Sequence, residues 1–197
     1  ILYRKMGNTK EAKELLEGIQ RLDRLDMLSM LEWNRSVQEE YPIGRIFGHK
    51  TDNYLDAAFE YIHAGMYEEA LQVLQDAPKG HPMPYYVIAG LYDKMGEQQN
   101  IAGLLEKAEA LDTKYCFPSR LEELRMLEAA VKHNPEGANA FYYLGCLFYD
   151  KFRYSEAVKC WEECVRIDPG HGKAYRNLAL AYYDKQNDKR SARLCME

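Results

Sequence analysis

The stretch NAFYYLGCLFYDKFRYSEAVKCWEECVRIDPGHGKAYRNLALAYYDK, from Asn139 to Lys185, repeats itself with a shift of 34 residues. The tripeptide YDK occurs at 149–151 and again at 183–185. Further aligned pairs are Pro135 with Pro169, Ala140 with Ala174, Phe141 with Tyr175, and Leu144 with Leu178. Self-similarity at this period indicates a repeat of two helices, which needs a neighbouring repeat to bury its apolar face.

The repeat resembles the tetratricopeptide family in its residue pattern. That pattern has large or aromatic residues at positions 4, 11 and 24, small residues at 8, 20 and 27, and proline at 32. The unit 138–171 matches it with Phe141, Leu144, Gly145, Phe148, Ala157, Trp161, Cys164 and Pro169. We expect Gly145 and Ala157 to let the two helices approach closely, with Phe148 and Trp161 filling the space beside that contact.

We expect the next unit, 172–197, to be truncated within its second helix. Its first helix matches the pattern with Tyr175, Leu178, Ala179 and Tyr182, but Ala192 follows one residue late. We therefore predict a one-residue insertion in the turn between Lys185 and Lys189.

The same pattern finds looser copies earlier in the chain. Residues 51–81 and 82–113 each match a repeat, whereas residues 1–24 match only the second part of one. Residues 26–50 predict a helix followed by a long loop, Val37–Thr51, because Pro42, Gly44 and Gly48 disfavour a helix. Asp112–Arg120 is predicted to form a second loop.

The second loop leads into a predicted helix within residues 118–135. Ser119 as N-cap and Glu122 three residues later suggest a capping box. The predicted apolar face holds Leu121, Leu124, Leu127 and Val131. Leu127 lies 34 residues before Trp161, so the pattern indicates a lone second helix whose first helix is missing or replaced.

We therefore predict an all-α fold, a tetratricopeptide-like right-handed helical solenoid of antiparallel helix pairs that runs through residues 1–197 as a single segment. Helix content should be about two-thirds or more, far above the usual third. Because both ends fall inside a repeat, we expect the chain to be a fragment of a protein that continues in both directions.

Residues Cys116–Ala192 also resemble the C-terminal helical region of certain bacterial proteins in which a mutarotase-like β-domain precedes tetratricopeptide repeats. This resemblance implies a carbohydrate-related domain upstream of the chain.

Composition narrows the function classes. The net charge of −5 disfavours a nucleic-acid partner, and no apolar run approaches the ~20 residues that span a bilayer. The five cysteines and five histidines show no zinc-ligand spacing, and no nucleotide-binding or hydrolase motif occurs. We expect no enzyme activity, cofactor or metal, and a cytoplasmic location.

The tetratricopeptide resemblance implies a concave groove lined by first helices. It assigns Tyr142 and Tyr149 of one unit, and Lys173, Arg176 and Tyr183 of the next, to groove-facing positions. Tyrosines offer apolar area with a polar tip, and the two cations can hold a carboxylate. The same tyrosines also suit packing against the next helix.

Asn177 and Lys173 match single positions of the carboxylate clamp with which some family members bind chaperone tails. Tyr143 and the missing first helix break the set, so we expect no clamp.

The predicted function is a protein–protein or domain–domain interaction scaffold that binds a partner segment in the groove. The partner is a protein or peptide, or another domain of the same chain. The alternative is a helical accessory region of a bacterial carbohydrate-related enzyme with its catalytic β-domain upstream. Homodimerisation through the truncated repeat ends is a third possibility.

Overall fold

A computed structural model describes residues 1–37, 43–185 and 187–196. Helices make up 73% of the described residues, which contain no strand, and this confirms the all-α prediction and its expected helix content. The chain divides into two compact units, Ile1–Pro78 and Lys79–Glu197. The sequence pattern predicts a single continuous segment. The boundaries that it predicts between repeats inside this segment stay predictions.

The first unit consists of short and medium-length helices. Their bounds are α1 Leu2–Lys5, α2 Thr9–Leu22, α3 Met27–Val37, α4 Ile43–Phe47, α5 Thr51–His63 and α6 Tyr67–Gln75. Helix α2 packs against α3, and α5 packs against α6. The buried Glu32 carboxylate accepts hydrogen bonds from Arg4 Nε at 3.1 Å and from the Tyr61 hydroxyl at 2.5 Å, so this interior charge is paired.

The second unit holds the repeat with which the sequence analysis began. Its helices are α7 Met83–Met95, α8 Ile101–Glu109, α9 Leu121–His133, α10 Ala138–Asp150, α11 Tyr154–Ile167, α12 Gly172–Asp184 and α13 Lys189–Leu194, with a 3₁₀ turn at Gln98–Asn100. Each of α10, α11 and α12 packs against the helix that follows it, and α7 packs against both α8 and α9.

The first helices of three repeats end in the same turn. Gly65, Gly96 and Phe152 all have positive φ, at 72°, 78° and 61°. After each, a backbone N–H donates to a carbonyl five residues earlier, as from Arg153 to Phe148 at 2.8 Å. This is the hydrogen bonding of a Schellman C-cap, which satisfies carbonyls at the helix end.

The turn between α12 and α13 is one residue longer. There the N–H of Asp188 donates to the carbonyl of Tyr182, six residues earlier, and Asn187 has φ of 52°. Ala192 is buried, 35 residues after Ala157. These observations confirm the predicted one-residue insertion.

The contact between α10 and α11 depends on Gly145. A Cβ atom at this position would lie 2.4 Å from Nε1 of Trp161, and Trp161 is 2% exposed. The indole N–H donates to the carbonyl of Tyr142 at 3.2 Å. Phe148 is buried beside this contact, so the predicted close approach and the aromatic filling are both confirmed.

Two other helix pairs carry different residues at the corresponding positions. Where α10 and α11 combine glycine with tryptophan, α5 and α6 combine Ala58 with Leu74, and α7 and α8 combine Ala89 with Leu105, always 16 residues apart. These four side chains are buried. The tryptophan therefore fits only because its partner lacks a Cβ.

The predicted loop Val37–Thr51 is wrong in part. Helix α4, Ile43–Phe47, lies within it, while residues 38–42 lie outside the described residues. Phe47 is 2% exposed, and its ring packs edge-on against Tyr54 with centroids 5.0 Å apart. Burial of this aromatic side chain outweighs the helix-disfavouring effect of Gly44.

The predicted start of α9 is wrong by one residue. The helix begins at Leu121, and the carboxylate of Glu123, not Glu122, accepts from the backbone N–H groups of Ser119 and Arg120 at 2.8 and 2.9 Å.

The predicted apolar face of α9 is confirmed at Leu127, which is buried, and wrong at Leu121, which is 63% exposed. Met126, which the predicted face does not include, is buried. A Cβ on Gly90 of α7 would lie 3.3 Å from the Cα of Met126, so the two backbones approach closely there. The predicted loop Asp112–Arg120 is confirmed, since α8 ends at Glu109 and α9 starts at Leu121.

Across the described ranges, no helix is long and apolar enough to cross a membrane.

Substitution Gly145→Ala should lower the free energy of unfolding by about 2 kcal/mol, because the added methyl group displaces the buried indole. Urea denaturation measures the change. Gly103→Ala in α8 is the matched control, because a Cβ there meets nothing within 4 Å and should cause no loss. The double variant Gly145→Ala/Trp161→Leu restores the pairing of the other repeats and should regain part of the loss. Equal effects of the alanines at 145 and 103 would contradict the steric explanation.

Substitution Phe152→Gly should raise the free energy of unfolding by about 1 kcal/mol, because glycine adopts positive φ without the Cβ clash. The phenyl ring is 78% exposed, so its removal costs little. Thermal or urea denaturation tests this. Phe152→Ala removes the ring but keeps the Cβ, and a gain equal to that of the glycine variant would show that backbone strain is not the cause.

Candidate functional site

The predicted groove residues lie on α10 and α12, and the start of α10 is fixed by an exchange of caps with α8. The Glu109 carboxylate accepts from the backbone N–H groups of Asn139 and Ala140 at 2.8 and 3.0 Å. In return, Asn139 Nδ2 donates to the Glu109 carbonyl at 2.9 Å. Each residue therefore satisfies free backbone groups at the other helix's end.

Tyr86 completes this arrangement. Its hydroxyl donates to Glu109 Oε1 at 2.7 Å, and burial raises the pKa of the phenol. Asn139 occupies a groove-facing position in the family pattern, but here its amide is used within the unit.

His171 links the first turn of α10 to the first turn of α12 by hydrogen bonds. Its Nδ1 accepts from the backbone N–H of Ala174 at 3.2 Å, which makes the imidazole the N-cap of α12. Its Nε2 lies 3.3 Å from Asn139 Oδ1. Because Asn139 Nδ2 faces the Glu109 carbonyl, the amide oxygen is the acceptor, so the bonding fits a neutral imidazole protonated on Nε2.

Tyr142 lies in the interior between these two helices. It is 7% exposed, and its ring centroid is 4.7 Å from that of His171 and 5.5 Å from that of Tyr143. Burial raises the pKa of its hydroxyl. The structure therefore gives Tyr142 a role in packing and leaves little of it for a partner to contact.

Tyr149 is half-buried at the end of α10. Its ring lies against Tyr154 and Trp161 of α11, with centroid distances of 4.9 and 5.6 Å. Part of this ring supports the α10–α11 contact, and the rest is accessible.

Lys173 is engaged by the loop before α9. Its Nζ donates to Thr113 Oγ1 at 2.6 Å and to Asp112 Oδ1 at 3.2 Å. Hydrogen bonds from Lys114, and then from Lys173, lower the pKa of Asp112 to about 2. The carboxylate that sequence reasoning assigned to a partner is thus supplied by the chain itself.

The exposed part of the predicted set lies on α12. Arg176 is exposed and makes no ion pair within the part of the chain that the structure describes, and Tyr183 is 57% exposed. Leu180, between them, is 45% exposed. Because these residues follow at intervals of four and three, they form one stripe, which we call the α12 face.

Asn177 lies at the inner edge of this face. It is half-buried, and its Nδ2 is 3.6 Å from Cys146 Sγ on α10. The six predicted residues are therefore divided: Arg176 and Tyr183 are exposed, Tyr149 and Asn177 are partly accessible, Lys173 is held by a loop, and Tyr142 is buried.

Of the cysteines on α10 and α11, Cys164 is buried, and Cys146 and Cys160 are half-buried. Burial raises the pKa of Cys146 to about 11, and that of Cys160 and Cys164 to about 12. Thiols with such pKa values are poor nucleophiles at neutral pH. Among the described residues, no group of histidine, cysteine and carboxylate side chains is arranged to hold a metal ion.

Sequence reasoning missed Asp112, Thr113 and Glu109 as residues that shape this site. Asp112 and Thr113 lie between the recognisable helices, where the 34-residue period gives no positional information. For Glu109, the sequence shows only an acidic residue near the end of a predicted helix. That position alone does not indicate that the carboxylate caps the start of α10.

Comparison with known proteins identifies the repeat. Residues 138–171 match the model of the tetratricopeptide repeat family, which confirms the resemblance over the unit predicted from the sequence.

Two relatives in sequence match this chain over only part of their own length. Heat shock protein STI1 of Saccharomyces cerevisiae is 30% identical in an alignment of 149 residues that covers 68% of this chain and 25% of that protein. The N-terminal acetyltransferase A complex auxiliary subunit NAA15 of Arabidopsis thaliana is 29% identical over 68 residues, 34% of this chain and 8% of that protein. The chain therefore spans a quarter or less of these relatives.

Solved structures with related folds include MamA from Desulfovibrio magneticus RS-1, with 21% identity, a TM-score of 0.36, and coverage of 76% of this chain and 93% of that one. YrrB, described as a tetratricopeptide protein with an unusual peptide-binding site, has 16% identity, a TM-score of 0.39, and coverage of 92% and 88%. The mutarotase-like resemblance is not addressed by these comparisons and stays a prediction.

Acidification should weaken the N-cap of α12. Burial lowers the pKa of His171 below its ordinary value, so the neutral form is favoured in the folded protein. Stability from this residue is present above the unfolded-state pKa of about 6.5 and is lost as the pH falls through the lower folded-state pKa. Protonation at Nδ1 removes the side-chain acceptor for Ala174 N–H and leaves only the His171 carbonyl, and loss of a side-chain cap costs up to about 1 kcal/mol.

Urea denaturation between neutral and mildly acidic pH measures this effect. His171→Asn keeps a capping oxygen that does not titrate, so its loss of stability on acidification should be smaller than that of the wild type. His49→Asn, at an exposed position, is the control. An unchanged pH dependence in the His171 variant would contradict the assignment.

Proposed function

Since residues 138–171 are a tetratricopeptide repeat, we propose that the second unit is a non-enzymatic interaction module that binds a segment of a partner protein on the α12 face. The single observation that carries the proposal is the exposure, on one stripe of a well-packed helix, of an unpaired guanidinium beside two apolar side chains.

The composition of the stripe favours a particular partner chemistry. Arg176 offers planar, bidentate donors to a carboxylate, while Leu180 and Tyr183 offer apolar area. The matching segment carries an acidic side chain opposite Arg176 and an apolar side chain against Leu180 and Tyr183. Tyr149 and Asn177, both partly accessible, are the additional contacts that the predicted groove supplies.

The rigidity of the surroundings supports binding on this helix. The imidazole of His171 caps the start of α12, Lys173 joins it to the loop at Asp112, and Leu178 and Ala181 are buried beneath it. A preformed surface loses less conformational entropy on binding than a mobile one.

A photo-crosslinking amino acid at position 180 of the full chain tests the proposal. It should give a defined crosslinked product in cells, whereas the same group at Lys159, an exposed position on α11, should not give that product. Once the crosslinked protein is identified, Arg176→Ala and Tyr183→Ala should each weaken its binding by about five- to thirtyfold, as expected for interface anchors. The same product from both positions, or unchanged affinity in both variants, would refute binding on the α12 face.

A further inference from the structure

We propose that the first unit carries a second binding site, a cavity that takes a partner peptide with a carboxylate side chain next to an aromatic or branched apolar side chain. This site shares no residue with the α12 face and does not depend on the function proposed there. It follows from one cavity whose lining includes residues with hydrogen-bond donors that have no partner in the described part of the chain.

The cavity has a volume of about 660 Å³ and is open to solvent. Its lining comes from three helices and one connection. It includes Arg21 of α2, Arg24 of the connection between α2 and α3, three residues of α3 (Met30, Trp33 and Asn34), and Ile46 of α4. Ligand sites in proteins typically measure about 300–1,000 Å³ and combine apolar walls with a few polar groups. This cavity has that size and that composition.

Three of the lining residues carry hydrogen-bond donors that have no partner among the described residues. They are the Arg24 guanidinium, the Trp33 indole N–H and the Asn34 amide. Trp33 and Asn34 follow each other on α3, and both are half-buried, so a ligand that displaces their water should supply acceptors in return.

The charge of the cavity favours an anion. Arg21 pairs with Glu17, the one acidic lining residue, at 3.5 Å. With Glu17 opposed by Arg21 and Arg24, the residues that line the cavity carry a net charge of +1. Arg24 makes no ion pair with a described residue, so a carboxylate that enters the cavity has a cation available to it.

The apolar part of the lining defines the second half of the ligand. Met30 and Ile46 provide aliphatic surface, and Trp33 provides an aromatic face. A flexible thioether adapts to different shapes, and an indole face suits another ring. An aromatic or branched side chain adjacent to the carboxylate therefore matches both halves of the cavity.

Tryptophan emission reports occupancy of this site directly. The chain has two tryptophans, of which Trp161 is 2% exposed and Trp33 lines the cavity. The full chain is titrated to millimolar concentration with the blocked tetrapeptide acetyl-Ala-Asp-Phe-Ala-amide, and in parallel with the same peptide carrying Asn in place of Asp.

We expect a saturable change in emission with the Asp peptide and about fivefold weaker binding of the Asn peptide. Arg24→Gln should reduce affinity for the Asp peptide to that for the Asn peptide, whereas Arg125→Gln, the same change at an exposed position on α9, should leave it unaltered. Trp33→Phe should abolish the emission change. Equal affinity for the two peptides, unchanged affinity in Arg24→Gln, or no saturable change would overturn the proposal.

Discussion

The exchange of caps between Glu109 and Asn139 is the constraint on which the second unit's candidate surface depends. A carboxylate at the end of α8 holds the first turn of α10, and an amide from that turn holds the end of α8. The same amide contacts His171, which begins α12. Polar contacts of this kind are directional, so they fix where each helix starts in a way that apolar packing alone does not.

Along α12, residues close in space have different roles. His171 and Leu178 face inward and set the position of the helix, while Arg176 and Tyr183 face solvent. Lys173 belongs to neither group, because it is partly exposed but its ammonium is already hydrogen-bonded to the loop. The family pattern assigns all groove-facing positions of a first helix to the binding of a partner. Binding depends, however, on which of these side chains have no contact within the protein itself.

The sequence predicts those parts of the fold in which the same contact recurs. The bounds of 138–171 and the insertion before Lys189 follow from the 34-residue period, because each repeat must bury the same positions. Where a contact is unique, the period gives no guidance. Met126 rather than Leu121 faces inward on α9 because this helix meets Gly90 of α7, and Lys173 finds Asp112 across 61 residues of chain. Both depend on three-dimensional neighbours that the pattern does not specify.

The pairing of Gly145 with Trp161 has a consequence for protein engineering. Designed repeat arrays take the most frequent residue at each position as though positions were independent. Here a repeat that takes the alanine of Ala58 and Ala89 but keeps the tryptophan would place a Cβ against the indole, where the backbone leaves no room for it. Gly145 and Trp161, one on each helix of the same hairpin, are thus inherited as a single unit, and modules can be recombined only if the cut leaves both on the same side.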